Sequence, residues 1–383
     1  MSFLFGRVSV RLPVTWPFAA GSTAVPNVEG VGEQFEEELV DLALTREQRA
    51  VREAFAALFE KQATPQRVRR AERGPSMGFD GLLWRHYAEI GGLGIGVPSD
   101  CGGGEGGLLE LALVAEEAGR RLAPIPFAET AAAARLLGRL REKELLEPVL
   151  RGSLIVSLAT QPGPVSGHML VDGAIADAVL ALDGDSVVYV TRPDGLSKTA
   201  RRNLGGLPLA PWYAPGGTTV LVEGREARAG FDAAVDEVRV LRASALVGLA
   251  TEAVGIGSRY AKEREAFGQP IGMYQAVAHP FADAVAALDG TQLLVRKACW
   301  AIDSGQDDAA ALAAMAFVFA AETAYHATTH SLHVHGGYGF MEEYDIQLYY
   351  RRAKAWAAAF ADPRRELLTV ADRLFGPVTT GGR

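Results

Sequence analysis

Four short β-branched runs, Leu154–Leu158, Ala178–Leu182, Ser186–Val190 and Thr218–Val222, lie together between Gly152 and about Glu237, each bounded by Gly, Pro, Asp or Asn. Such runs read as strands, and Asp183-Gly184-Asp185 between two of them reads as a hairpin turn. On both sides of this segment the periodicity is helical. Thr45 followed by Gln48 forms a capping box, ahead of Val51, Phe55, Leu58 and Phe59 on one face. Leu246, Leu249, Ala253, Gly257 and Tyr260 make a later apolar stripe, and an alanine-rich helix follows from about Asp307 to His333, with a last one from about Arg364 to Phe375. A chain of 383 residues is too long for one simple core. The order is helix, sheet, helix, an α+β chain with helical residues 39–151, a small β domain over 152–237 and helical residues 238–383.

Residues 1–38 contain Pro, Gly and Val without periodicity and are expected to be a disordered leader outside the fold. They hold no continuous apolar stretch of the kind a secretory signal needs. Hydrophobic residues make up 49% of the chain and charged residues 22%, as in a globular protein. A net charge of −8 argues against nucleic acid as the main partner, because phosphate binding needs a positive field. Cys101 and Cys299 match no metal or redox spacing, which points to a reduced, cytoplasmic setting and no metal site. No run reaches the ~18 uninterrupted apolar residues of a membrane helix. The glycines between Gly91 and Gly107 are not spaced as a phosphate-binding loop and no P-loop lysine follows, so a tight inter-helix loop is expected there.

Two motifs carry chemistry. Arg264-Glu-Ala-Phe267-Gly268-Gln-Pro-Ile-Gly272 closes one helical pattern, and Gln275, His279 and Asp283 recur at four-residue spacing on the next. About 70 residues later comes His335-Gly336-Gly337-Tyr338-Gly339-Phe340, followed by Tyr349-Tyr-Arg-Arg-Ala-Lys354 and Asp362-Pro363. Together these resemble the acyl-CoA dehydrogenase family, flavoproteins that oxidise the Cα–Cβ bond of acyl thioesters. The resemblance spans about Leu42 to Phe375 and includes Trp84–Glu117. It implies an N-terminal helical domain, a small central β-barrel or sandwich, and a C-terminal four-helix bundle. The C-terminal motifs resemble a bacterial subgroup that degrades steroids and lipids, in which many members pair two related chains.

The resemblance implies FAD as cofactor, with Arg264 and Phe267 reaching the FAD of a neighbouring subunit. A guanidinium suits a pyrophosphate and a ring suits the apolar parts of a flavin. Gln275 falls where the family contacts the adenine half, and Gly336 and Gly337 form backbone against which the cofactor lies. His333 stands in the place of a usual glutamine. Taken singly, Arg264 would read as a solvated helix-end arginine, Phe267 as core and His279 as a satisfied buried histidine. The joint pattern favours the cofactor role for Arg264, Phe267 and the glycines, but not for His279. Leu158-Ala-Thr-Gln-Pro-Gly-Pro-Val-Ser-Gly167 resembles the family's flavin-facing segment imperfectly, with Thr160 toward the flavin ring and Ser166 toward CoA. Turn chemistry alone also explains it.

The reaction needs a carboxylate against the α-carbon, in a dry pocket that raises its pKa toward neutrality. In most relatives a glutamate lies 23 residues after the second glycine of the pair, which here is Phe360; a minority place it 26 residues before the arginine, which here is Val238. Both places lack a carboxylate. Asp362 lies two residues beyond Phe360, although Asp followed by Pro is also an ideal helix start. Asp236 and Glu237 lie just before Val238, and Arg239 matches a family arginine near the substrate.

The reading is an FAD-dependent acyl-CoA dehydrogenase, homo-oligomeric or paired with a related chain, giving a trans-2-enoyl product and passing electrons to an electron-transferring flavoprotein. A steroid side-chain thioester follows from the subgroup resemblance only. The rivals are a non-catalytic subunit that completes a partner's FAD site, a flavin-dependent monooxygenase on the same fold, and a purely structural scaffold.

Overall fold

The structure is a computed structural model that describes residues 40–163, 165, 167–212 and 217–376. The expected leader and Ser166 lie outside the described residues. Six helices open the fold: α1 (Arg46–Gln62), α2 (Pro65–Arg73), α3 (Gly81–Glu89), α4 (Leu108–Arg120), α5 (Ala128–Leu140) and α6 (Lys143–Leu150). The capping box at Thr45 and Gln48 is present, and Phe55 and Phe59 are the buried face of α1. Thr64 caps α2 ahead of Pro65, and Asp80 caps α3 through the amides of Leu82 and Leu83. The glycine-rich stretch after α3 is an inter-helix connection of two short 3₁₀ turns. Its backbone packs so closely that a Cβ on Gly103 would lie 2.0 Å from the carbonyl oxygen of Val97.

The next segment forms β1 (Val156–Leu158), β2 (His168–Leu170), β3 (Ala178–Asp183), β4 (Ser186–Thr191), β5 (Ala210–Trp212) and β6 (Thr218–Glu223). The main sheet runs β1-β3-β4-β6, with β1 parallel to β3 and the other pairs antiparallel, while β2 and β5 pair separately. Asp183 lies opposite Ser186, so Gly184 and Asp185 make the expected hairpin turn. Alternate residues enter two cores. Leu180, Leu182, Val187 and Tyr189 face the core shared with the long helices. Val179, Ala181, Val188 and Val190 face a second core containing Phe55, Phe59, Trp84 and Tyr87.

A single 39-residue helix, α7 (Arg225–Glu263), starts directly after β6. The domain boundary expected at Glu237 therefore falls inside this helix. Charged residues in Arg225–Glu237 masked a helical face of Ala227, Phe231, Ala234 and Val235, all of which are buried. After α7 come a short hairpin of β7 (Glu265–Ala266) and β8 (Gln269–Pro270), then α8 (Gln275–Ser304), α9 (Ala309–Val334), α10 (Ile346–Phe360) and α11 (Pro363–Phe375). Small residues let α4 and α7 approach to backbone contact: a Cβ on Gly248 would lie 1.8 Å from the Glu116 carbonyl, and one on Gly119 2.0 Å from that of Ala245. By length and composition α7 and α9 could each cross a membrane, but in this fold much of their apolar surface packs against the surrounding helices.

Candidate active site

The end of α7 builds an exposed corner. The amide of Arg264 still donates to the Tyr260 carbonyl at 2.8 Å, and the chain then reverses with Glu265 opposite Pro270 and Ala266 opposite Gln269. Phe267 and Gly268 are the two turn residues, with φ of 53° and 83°. Left-handed backbone at both positions is the type I′ geometry that matches strand twist in a two-residue hairpin. For phenylalanine it costs about 1–2 kcal/mol. The hairpin is tied down by Ile271 N donating to Arg264 O at 2.8 Å and by the Tyr274 hydroxyl donating to Ala266 O at 3.0 Å. The result is a phenyl ring 97% exposed, on strained backbone that is firmly held.

The second motif is fixed beside this corner. The His335 imidazole stacks on Tyr260 at 4.1 Å and its Nδ1 lies 2.7 Å from the Ser331 carbonyl. His330 Nε2 reaches the Val277 carbonyl at 3.1 Å and its ring meets Phe281 edge-on. Burial pushes both imidazoles below the ordinary histidine range. These contacts bring the end of α7, the start of α8 and the end of α9 to one end of the bundle. Arg264, Phe267, Gln275, His333, Gly336 and Gly337 are all exposed there. His279 is also exposed and is not a buried core histidine. Gly336 has φ +57°, which explains a glycine on backbone grounds. Gly337 has no such reason, and a Cβ there would meet nothing within 4 Å.

Elsewhere the helices hold a buried charge cluster. Arg239 is 9% exposed and gives Nε to Glu366 at 2.8 Å and Nη1 to Asp236 at 2.7 Å. Arg373 also bonds Asp236, at 2.7 Å. Burial raises the Asp236 pKa against the pull of Arg373 and Arg239. Glu237 points elsewhere, to Arg135 at 2.9 Å and Arg139 at 2.6 Å. Val238 is fully buried and Phe360 nearly so, its ring against Phe317 at 5.0 Å. Asp362 is exposed and caps α11, accepting from the Arg364 amide at 3.0 Å. Thr160 is half-buried just past β1.

A cavity of about 80 Å³ lies where the N-terminal helices, the sheet region and α7 and α10 meet. Its wall is mostly apolar but includes Glu129, Asp172, Arg242 and Arg352. Arg242 donates Nε to Glu129 at 2.8 Å and its Nη2 also contacts that carboxylate. Asp172 accepts from the Ser157 hydroxyl at 2.9 Å. Desolvation first, then the neighbouring Glu129, pushes the Asp172 pKa up to about 7. Burial pulls the Arg352 pKa down to about 10, although Glu72 lies 2.7 Å away.

Two family models match the chain, the N-terminal domain of acyl-CoA dehydrogenase over residues 45–150 and its C-terminal domain over residues 229–360. The acyl-CoA dehydrogenase IpdE2 of Mycolicibacterium smegmatis is 30% identical over 338 residues, covering 87% of this chain and all of the relative. The chain belongs to the acyl-CoA dehydrogenase family. Acyl-CoA dehydrogenases are oxidoreductases acting on acyl-CoA, and the family implies FAD. Among solved structures, the ChsE4–ChsE5 complex from Mycobacterium tuberculosis superposes with TM-score 0.78 at 25% identity, over 90% of this chain and all of that one. A steroid acyl-CoA dehydrogenase variant, Tcur3481–Tcur3483, gives TM-score 0.75 at 26% identity, over 86% and 97%.

As an acyl-CoA dehydrogenase the chain is unusual at its centre. Phe360 and Val238, the two places where a base is expected, are apolar and packed, and the nearby charges of Asp236, Arg239 and Glu366 are spent on one another. Among the described residues no hydrogen bond or ion pair joins Thr160, just past β1, to the Arg264 corner at the end of α7, so these expected cofactor residues form two separate groups. Sequence reasoning missed Glu129, Asp172 and Arg242. The available signal was a charge inside an apolar helical run, as in Val240-Leu-Arg-Ala243. Asp172-Gly173 reads in sequence as an ordinary turn.

Proposed function

We propose that this chain is one subunit of an assembly with a related acyl-CoA dehydrogenase chain, and that the assembly converts a saturated acyl-CoA to its trans-2-enoyl product. The observation that carries this reading is the exposed Phe267 on strained, pinned backbone beside an unexplained Gly337. Among the described residues Phe267 makes only an edge-on contact with Tyr274, at 6.4 Å, and a Cβ on Gly337 would meet nothing, and both suit a flat, pyrophosphate-bearing group lying across this end of the bundle. FAD fits: Arg264 would pair with its pyrophosphate, Phe267 would cover apolar flavin surface, Gln275 and His333 would offer polar contacts, and Gly336–Gly337 would let the cofactor approach the backbone. When bound, FAD supplies a hydride acceptor. Thr160 belongs to the other group and would face the flavin ring of a second site.

The α-proton needs a carboxylate that the two usual positions here do not offer, and a partner chain supplies it in this reading. The ChsE4–ChsE5 complex and Tcur3481–Tcur3483, each of two named chains, support such a pairing, and the latter's being a steroid acyl-CoA dehydrogenase supports a bulky acyl group. Electrons leave to an electron-transferring flavoprotein. The test is co-expression with a related chain that retains the glutamate, followed by visible absorption of the purified assembly. A flavin spectrum that is lost in Arg264→Ala supports the reading. Flavin retained undiminished in that variant, or absent from the wild-type assembly, overturns it.

A further inference from the structure

We propose that the cleft between α2, the connection from β4 to β5 and the start of α10 is a binding site for a small organic phosphate, a monoester with an apolar or aromatic body. Its lining includes none of Arg264, Phe267, Gln275, His333, Gly336 and Gly337. It does include two motif residues that the flavin reading leaves idle, Phe340 of His335–Phe340 and Arg351 of Tyr349–Lys354.

Charge selects the ligand. Glu72 holds Arg351, at 3.1 and 3.2 Å, and also Arg352, at 2.7 Å, so two guanidiniums share one carboxylate. Arg202 is exposed and has no ion-pair partner among the described residues. Arg69 is matched by Asp345, and Arg73 by Glu342 across 3.6 Å of open solvent. One positive charge from the shared carboxylate and one from Arg202 are thus left over, in a chain of net charge −8. Burial first, and then the charge of Arg351, pull the Arg352 pKa down to about 10 against Glu72. A phosphate monoester carries about −1.5 to −2 at neutral pH and meets this excess, whereas a carboxylate meets half of it. The guanidinium fork fits phosphate oxygens.

Shape selects a small molecule with an apolar body. The cleft measures about 790 Å³, within the ~300–1,000 Å³ usual for small-ligand sites. The Phe340 ring is 72% exposed and Leu204 is exposed beside it, and a flat body can stack there. Both walls are pinned. Arg69 donates Nε at 3.1 Å and Nη2 at 2.9 Å to the Glu342 carbonyl, and Arg351 donates Nη1 to the Leu204 carbonyl at 3.0 Å. Asn203 Nδ2 donates to the carbonyls of Arg201 and Leu207, both at 2.8 Å. Arg202 therefore stands on fixed backbone, and binding has little main chain to order.

Calorimetric titration of the full-length chain at neutral pH with phenyl phosphate, benzoate and inorganic phosphate tests this. Phenyl phosphate is expected to bind about tenfold more tightly than either of the others. Arg202→Ala should weaken it by about tenfold, and Phe340→Ala should erase its advantage over inorganic phosphate. Both side chains are exposed, so both variants should fold, which a melting curve checks; Arg202→Ala decides alone if the other does not. Arg70→Ala, an exposed arginine of α2 outside the cleft lining, should change nothing. No saturable binding of phenyl phosphate, equal binding of benzoate, or affinity undiminished in Arg202→Ala overturns the proposal, as does an equal loss in Arg70→Ala. Arg264→Ala should leave this binding intact. Loss in that variant instead would put the phosphate at the flavin corner, ending this inference and leaving the flavin reading standing.

Discussion

The guanidinium carbon of Arg239 lies over the ring of Phe360, 5.4 Å from its centroid. This one contact joins α7 to the end of α10 and fills the place where a dehydrogenase would carry a glutamate. The arginine is held from its other side by Asp236 and Glu366, so the ring completes a closed structural cluster.

Removing that ring should cost stability. Phe360→Ala deletes a buried aromatic packed on Phe317 and leaves one face of Arg239 bare, and losses of about 3–5 kcal/mol are usual for such truncations. Urea unfolding should show a lower midpoint with an unchanged slope. An unchanged midpoint would mean that the cluster contributes nothing at this position.

Asp362 separates capping from proton transfer. Its carboxylate caps α11 from an exposed position, so Asp362→Ala should destabilise the chain by about 1 kcal/mol, while Asp362→Asn, another good cap, should cost far less. Turnover of the assembly should survive in Asp362→Asn. A collapse of turnover there, with stability intact, would instead make this residue the base.

The outline of the fold was legible because its signals are local: the capping box at Thr45, the Gly184-Asp185 turn and the β-branched runs each depend on a few neighbouring residues. The start of α7 was not, because Arg225–Glu237 is too charged to look like the first third of a buried helix until Phe231 and Ala234 are seen under the sheet. Strands β2 and β5, three residues each, are too short to announce themselves. At the site, the exposed corner could be read from Arg264, Phe267 and the glycines. The Glu129–Arg242 pair could not, since it joins residues more than a hundred positions apart and only tertiary structure brings them together.

Asp172 should make stability depend on pH. Its folded pKa of about 7 lies above the ordinary value of 3.8, so the folded chain holds this proton more tightly than the unfolded one. The groups that set this are burial, Glu129 from α5, Ser157 from β1 and Arg242 from α7. Its favourable contribution is complete below about pH 4 and is lost as pH rises to about 7, at up to about 1.4 kcal/mol per pH unit. Asp172→Asn keeps an acceptor for Ser157 and has no charge to bury. Its melting temperature relative to wild type should therefore climb between pH 5 and pH 7. A constant difference across that range would contradict the assignment.

Phe267 and Gly337 offer the sharpest separation of cofactor binding from folding. Phe267→Gly removes an exposed ring and relieves left-handed strain, so the chain's stability should stay level or rise slightly. Gly337→Ala adds a methyl group that meets nothing within the chain, and should change stability by no more than about 0.5 kcal/mol. If a cofactor lies across this end of the bundle, both substitutions should weaken flavin retention in the assembly while thermal unfolding of the chain alone is unaffected. Absorbance after gel filtration reads the first quantity and a melting curve the second. Should both variants keep their flavin at wild-type occupancy, the exposed ring and the open glycine would have to answer to some other ligand, because among the described residues only an edge-on contact with Tyr274 engages the ring and nothing meets the glycine.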